Sequence, residues 1–450
     1  MRGRSVPRLI ATLLLATGCL ASLIAEWPGT YVYDSYLQLM EGRAGVYSFW
    51  HPPVMSWLLG LADHVLTGAA LFILVQTLVG FGALIVLVWL PRRTSWWAVP
   101  VAALVCLLPQ LLLYQGYVLK DVLLANAALA GFAALGLAAA RWRTIWRWPL
   151  LLICGAFMVL TILARQNGVL YLFFAAAALG GVAVQYGASR RVAAVTGLCF
   201  FVLFAAGARL ANNAFARHHD GTPATATQFR ILQAYDITGM IAHHPEYPLD
   251  VLKAQNPAME NAVRVGVKLY NPARNDTLVA DAAYSAALDA TPYDVMARQW
   301  RLLVTEHPIA WTRQRTEVFS WLFAPQHIDE CHPYYVGARG PADALRQLGL
   351  QERMDGRDWT LFSIGAWLSH TPVFWHPLYG LIVVLCLWFC LVRRRPADLA
   401  MAGYLAGSLV FSASFFAISI ACDYRYLYAL DLSAIAGLLY LAAGGFRRIE

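Results

Sequence analysis

Residues 118–147 read VLKDVLLANAALAGFAALGLAAARWRTIWR. The stretch 122–140 holds no charged residue, and as a helix it spans a hydrocarbon layer of roughly 30 Å. Backbone in lipid has to satisfy its own hydrogen bonds, so the run is predicted to be a helix. Lys120 and Asp121 mark one end of it. Arg141, Arg143 and Arg147 mark the other, and such arginines assign that end to the cytoplasm.

The same pattern recurs along the chain. Of 450 residues, 59% are hydrophobic and only 13% charged, with a mean hydropathy of +0.54, too little charge to cover a soluble surface. Ten spans are predicted, at about 8–26, 69–90, 97–114, 118–140, 146–164, 167–187, 192–211, 373–392, 397–420 and 424–445. Arg2, Arg4 and Arg8 precede the first. Further arginines follow every second span: Arg92–Arg93, Arg141–Arg147, Arg190–Arg191, Arg393–Arg395 and Arg447–Arg448. This alternation puts both termini in the cytoplasm, and a missed span would break it. The net charge of +8 therefore belongs to membrane topology rather than to a nucleic-acid-binding face. Residues 1–27 share the basic start and apolar run of a signal peptide. The run is about twenty residues long and no clear A-x-A site closes it, so it is read as a retained first helix.

The fold class read from this pattern is an all-α polytopic membrane protein. It divides into a transmembrane module, 1–211, with an outer loop at 28–68; a mostly helical periplasmic domain, 212–372; and C-terminal spans within 373–450. In the outer loop, residues 34–42 suit a short helix, and Pro52–Pro53 open another through Leu66, both lying on the membrane surface. Residues 298–324 look amphipathic, with Trp300, Leu303, Ile309, Trp311, Val318, Trp321 and Leu322 set among charges. Cys19, Cys106, Cys154, Cys199, Cys386 and Cys390 fall in apolar runs and are read as small core residues. Cys331 and Cys422 are the two in polar outer segments, which makes them a candidate disulfide.

One residue group stands out by position. Asp34, His51, Lys120, Asp121, Arg165, Asp423 and Arg425 come from four separate connections, yet topology puts all of them at the outer membrane face. Charges at span ends are costly unless paired or functional. Lys120 is one of very few lysines in the chain. Two plainer readings stay open: Lys120–Asp121 as a local ion pair, and the arginines as contacts to bulk headgroups. Asp34 sits among Tyr31, Tyr33 and Tyr36, a setting that raises a carboxyl pKa and suits a general base; a helix N-cap is its plainer role. His327, Asp329, Glu330 and His332 are read as surface polar residues, because their spacing fits no metal motif.

These residues resemble the C-type (GT-C) membrane glycosyltransferases, a family that includes protein O-mannosyltransferases and lipid A aminoarabinose transferases. Asp34-Ser-Tyr with His51-Pro52-Pro53 is similar to the family's first outer loop. Leu119-Lys-Asp121 resembles its second acidic position, and Leu163-Ala-Arg-Gln-Asn-Gly168 its cationic turn. Tyr424-Arg-Tyr426 resembles an Arg-Tyr motif before the last span. Gln299-Trp-Arg with His307-Pro308, Arg313 and Arg315 resembles a helix pair in bacterial relatives. The likeness runs in order along most of the chain. It departs from the family at Ser35, where many members carry a second acidic residue, and a divalent metal therefore has no supporting motif.

The resemblance implies a bacterial inner-membrane inverting glycosyltransferase. Its donor is a sugar on a polyprenyl phosphate, and its acceptor is a periplasmic lipid, glycan or protein. In that reading Asp34 is the base and Asp121 a second catalytic carboxylate. Lys120, Arg165, Arg425 and Tyr426 bind the donor phosphate, and His51 and Asp423 line the substrate site. The alternatives are a polar-lipid transporter or flippase, a glycan ligase or polymerase, and a structural membrane subunit. A transporter predicts polar residues deep in the spans and broken helices near the midplane.

Overall fold

The computed structural model describes residues 6–221 and 223–444. The chain is an all-α polytopic membrane protein; among the described residues β-structure is limited to isolated bridges. Helix α1 (Val6–Glu26) is followed by two short helices, α2 (Tyr33–Ala44) and α3 (Pro53–Val65), where the outer loop was predicted to hold them. Next come α4 (Ala70–Trp89), α5 (Ala98–Cys106), α6 (Pro109–Leu112), α7 (Lys120–Ala140), α8 (Arg147–Ala164), α9 (Val169–Gln185) and α10 (Arg190–Ala216). Helix α10 runs past residue 211, so the predicted domain boundary falls inside it.

Among the described residues nine helices are long and apolar enough to cross a membrane. The tenth predicted span, 97–114, is a bent pair: Ala98–Cys106 and Pro109–Gly116 meet at 67°. Pro109 explains the break, since proline cannot donate the helical hydrogen bond and constrains the residue before it. The pair nonetheless runs the depth of the bundle. At its start, Ser95 N–H donates to the Ala443 carbonyl at 2.9 Å, beside Arg8, whose Nε donates to Thr94. At its end, Thr30 N–H donates to the Gly116 carbonyl at 2.9 Å, just beyond the far end of α1. With that pair counted as one span, ten candidate crossings among the described residues run between a basic face, with Arg8, Arg92 and Arg393, and an opposite face. Arg2, Arg4, Arg447 and Arg448 lie outside the described residues.

A helical region follows: α11 (Ala224–His243), α12 (Asp250–Gln255), α13 (Pro257–Gly266), α14 (Asp276–Val279), α15 (Ala282–Asp289), α16 (Tyr293–Glu306), α17 (Pro308–Phe323), α18 (Ala342–Leu348) and α19 (Gly356–Ser369). Helices α11 to α17 have a core of their own, with Tyr235, Met240, Leu252, Met259 and Leu303 fully buried. The segment 298–324 lies on a helix pair, as the resemblance at Gln299-Trp-Arg and His307-Pro308 implied, with Pro308 opening the second helix. Ile309, one of the apolar residues of that segment, is 85% exposed. Asp236 lies at the centre of this core. It accepts hydrogen bonds from the indoles of Trp300 (2.8 Å) and Trp311 (3.0 Å) and pairs with the fully buried Arg315. Arg315 also donates to the Ser419 carbonyl at 2.6 Å, which fastens this region to the spans.

The chain closes with α20 (His376–Arg393), α21 (Pro396–Ile418) and α22 (Tyr428–Gly444), the last entered through a 3₁₀ turn, Tyr424–Leu427. Helices α7 and α22 are the most enclosed spans, and both are rich in Ala, the small residue that lets neighbouring backbones approach. Cys19, Cys154, Cys386 and Cys390 are buried as expected, but Cys199 faces outward from α10.

Candidate active site

Four helix starts meet at the face opposite the arginine clusters, and each brings one part of a charged cluster. Asp34 is the second residue of α2, and Lys120 and Asp121 open α7. Arg165 precedes the short 3₁₀ turn Gln166–Gly168 that leads into α9. Arg425 lies in the 3₁₀ turn that leads into α22. Helix N-termini present unpaired N–H groups and a positive partial charge, so the backbone adds to the field of the cations.

The side chains form a connected set. Arg425 Nη1 donates to Asp34 Oδ2 at 2.8 Å, and Arg425 Nε and Nη2 lie 3.2 and 3.1 Å from Asp423 Oδ2. Arg165 Nε donates to Asp121 Oδ1 at 2.5 Å. The ring of Tyr426 is 4.8 Å from the Arg165 guanidinium and 5.6 Å from that of Arg425, and stacks on Phe415. Lys120 Nζ is 3.3 Å from His51 Nδ1, and His51 Nε2 is 4.0 Å from Asp34 Oδ1. Every residue singled out from the sequence for this site, including His51 and Asp423, is thus in the cluster.

Two expectations for Asp34 are overturned. The N-cap of α2 is Val32, and the Asp34 carboxylate turns to Arg425 instead of capping the helix. The tyrosines do not raise its pKa either. Tyr33 is exposed, and Tyr31 stacks on Tyr36. Burial pushes the Asp34 carboxyl up, but Arg425 and then Lys120 outweigh it and hold the group well below the usual carboxylate range. Burial, and then the Lys120 ammonium, push the His51 imidazole down to about 4. His51 is therefore neutral at neutral pH.

Several residues that support the cluster escaped the sequence reading. Ser35, noted there only as a departure, is fully buried; its hydroxyl accepts from Val32 N–H at 3.0 Å and donates to the Val118 carbonyl at 2.7 Å. It locks the first turn of α2 to the strand-like segment just before Lys120. Ser35 is next to Asp34 and is the third residue of α2, and no Ser/Thr-x-x-Glu/Gln capping pattern marked it in the sequence. Arg274 lies 3.9 Å from Asp423 and donates to the Glu330 carbonyl. Tyr424 OH donates to Asp431 Oδ2 at 2.6 Å, and His376 Nδ1 lies 2.9 Å from Asp431 Oδ1. This buried group holds the turn that carries Arg425. No sequence signal marks it, because its members are distant in the chain and lie among apolar residues.

Cys331 and Cys422 are joined in a disulfide, with their Cα atoms 4.9 Å apart. Cys422 immediately precedes Asp423, and its N–H donates to the Ala273 carbonyl at 2.8 Å. The bond anchors the approach to Arg425 from the side of the helical region.

Among the described residues, no three His, Cys, Asp or Glu side chains form a metal-holding group. Asp34 and Asp121 each commit one oxygen to an arginine, and Asp121 Oδ2 is buried without a hydrogen-bond partner among the described residues. The Ser35 hydroxyl is turned to two backbone groups. One cleft lies away from the cluster. It holds about 640 Å³ along α17, with His243, Ile309, Arg313 and Glu317 on its walls.

No family model matches the chain, and no curated protein matches it. The solved structures similar to it include several of the Archaeoglobus fulgidus oligosaccharyltransferase. One is AglB in complex with an inhibitory peptide and a dolichol-phosphate, 15% identical, with a TM-score of 0.42 over 96% of this chain. A second, in complex with Zn and sulfate, is 14% identical, with a TM-score of 0.41 over 95% of this chain. A third, tethered to an acceptor peptide containing the NVT sequon, is 12% identical, with a TM-score of 0.41 over 96%. This chain spans about half the length of these relatives, 50%, 48% and 49% respectively.

Proposed function

We propose that the chain is an inverting glycosyltransferase of the GT-C kind. It moves a sugar from a polyprenyl phosphate to an acceptor on the periplasmic side of a bacterial inner membrane. The observation that carries this reading is the convergence of one accessible carboxylate and three cations from four helix starts, at the face away from the arginine clusters. The disulfide agrees with an oxidising compartment on that face.

In this reading the acceptor's nucleophilic atom attacks the anomeric carbon from the side opposite the phosphate. Its proton passes to Asp34. The new glycosidic bond forms as the bond to phosphate breaks, and the leaving polyprenyl phosphate takes the electron pair. Lys120 and Arg165 stabilise its growing charge. Arg165 suits this role best: Nε is committed to Asp121, and its two Nη groups make no hydrogen bond among the described residues. Arg425 acts more as the clamp on Asp34 and Asp423 than as a primary phosphate anchor. Asp121 orients Arg165. No step requires a metal.

A second reading, a polar-lipid transporter, has an observation in its favour. The span 98–116 is broken, and Gln76, Gln110, Gln115, Asn126 and Asp431 are buried within the bundle. Asp431, however, lies seven residues after Tyr424, about 10 Å below the site face and short of the midplane. Its hydrogen bonds serve the Tyr424 turn. The test is mass spectrometry of envelope glycans from cells with and without the chain. Loss of one glycosylated product supports transfer. An unchanged glycan set, with altered distribution of a lipid-linked sugar between leaflets, would favour transport.

A further inference from the structure

His51 adds a constraint that the charged residues do not. It is 5% exposed, and its Nε2 is buried with no hydrogen-bond partner. An ammonium group can only donate, so the 3.3 Å contact with Lys120 makes Nδ1 the acceptor and puts the ring proton on Nε2. That N–H lies 4.0 Å from Asp34 Oδ1, while Arg425 holds the other oxygen, Oδ2. A buried donor and an ionised acceptor therefore face each other across a gap too wide for a direct bond. One oxygen atom, about 2.8 Å from each, bridges that gap at an angle of roughly 90°.

Resting on the glycosyltransferase reading, we infer that His51 and Asp34 together select a hydroxyl as the reacting acceptor group. The reacting atom must accept a hydrogen bond from His51 and donate its proton to Asp34. A hydroxyl does both. A carboxamide nitrogen does not, because its lone pair is delocalised into the carbonyl and it would set N–H against N–H at His51. An ammonium group has no lone pair to offer. His51 aims the oxygen lone pair, Asp34 takes the proton, and the product is an O-glycosidic linkage. His51 is a positioning residue, and Lys120 fixes the tautomer that lets it act.

The experiment uses full-length protein in cells lacking the chromosomal copy. Envelope glycans are analysed for parent, His51→Gln and His51→Ala, at matched membrane abundance and after thermal melts in detergent. Glutamine can place an N–H donor near the position of Nε2; alanine cannot. We expect the product of the parent to be linked through oxygen, shown by methylation analysis for a glycan or by alkaline β-elimination for a peptide. His51→Ala should lose about 10²-fold in product, the scale set by misplacing a reacting atom, and His51→Gln should recover most of that loss. A product linked through amide nitrogen overturns the inference with no variant needed. Equal output from His51→Ala and parent overturns it, as does equal loss in both variants at matched stability. If no envelope glycan depends on the chain, the glycosyltransferase reading itself fails and the inference fails with it.

Discussion

In the proposed reaction Asp34 takes the acceptor's proton, and Arg425 and Lys120 keep its carboxylate ionised at neutral pH. Asp34→Asn keeps the shape and removes the charge. Because the carboxylate caps no helix, the change should leave the melting temperature close to the parent's while costing about 10²–10⁴-fold in turnover with donor and acceptor. Near-parental turnover would mean the base lies elsewhere, with Asp121 next to be tested. His51 gives a pH signature. Its imidazole, near 6.5 when unfolded, is held down to about 4 in the fold. Between those values the unfolded chain binds the extra proton, so stability should fall as the pH drops from about 6.5 towards 4. His51→Gln should flatten that part of the curve in thermal melts taken across the range; an unchanged slope would assign it to other groups. The position of Asp34 was legible in the sequence because topology alone places it at the right face. Its electrostatics were not, because Arg425 lies 391 residues away and no local pattern couples the two.

At the level of elements, the site depends on how α2 sits against α3. The two helices cross with almost no space at Gly42 and Gly60. A Cβ on Gly42 would lie 2.2 Å from the Ser56 carbonyl oxygen and 2.8 Å from the Gly60 nitrogen. Both obstacles are backbone, so Gly42→Ala has to push the helices apart. We expect a loss of about 1–3 kcal/mol, as for overpacking, together with reduced turnover, because Ser35 and Asp34 ride on the same helix. A denaturation curve and an activity assay on one preparation would check both; an unshifted curve would show that the crossing yields easily. The sequence showed both short helices through their Pro-Pro start and short polar run. It did not show their crossing, since two glycines eighteen residues apart carry no periodic signal. The same holds for the bent span. Its apolar run was long enough to be counted, while the turn at Pro109 depends on neighbours such as Tyr424, whose hydroxyl meets Gln110 at 2.8 Å.

Across the whole molecule, one buried ion pair fastens the helical region to the spans. Arg315 is fully enclosed between Asp236 and the Ser419 carbonyl. Removing one partner leaves an uncompensated buried charge, so Arg315→Ala should cost about 3–5 kcal/mol. Adding Asp236→Asn should recover part of that loss, measured as a shift in the detergent melt. Additive losses would show that the two residues act separately. Orientation is tested with reporters. One active only in the periplasm should work when inserted near Gly221 and be silent when fused after Glu450; the reverse would put the charged cluster in the cytoplasm. The span count was legible because arginine alternation is a rule about the whole chain and tolerates local error. The packing of residues 224–323 into their own core was not, because its apolar positions are scattered over seven short helices with no single period.

The distance along the chain between Asp34 and Arg425 also bears on how the protein is made. At roughly 5–20 residues per second, a ribosome takes about 20–80 s to pass from one to the other. The outer loop, His51 and Lys120 are all threaded into the membrane well before the guanidinium that clamps Asp34 has been translated. A nascent chain therefore carries a carboxylate at the membrane surface with neither its clamp nor the turn that bears Tyr426. The charged cluster is therefore complete only once the last helix is in place, when Cys422 can also reach Cys331.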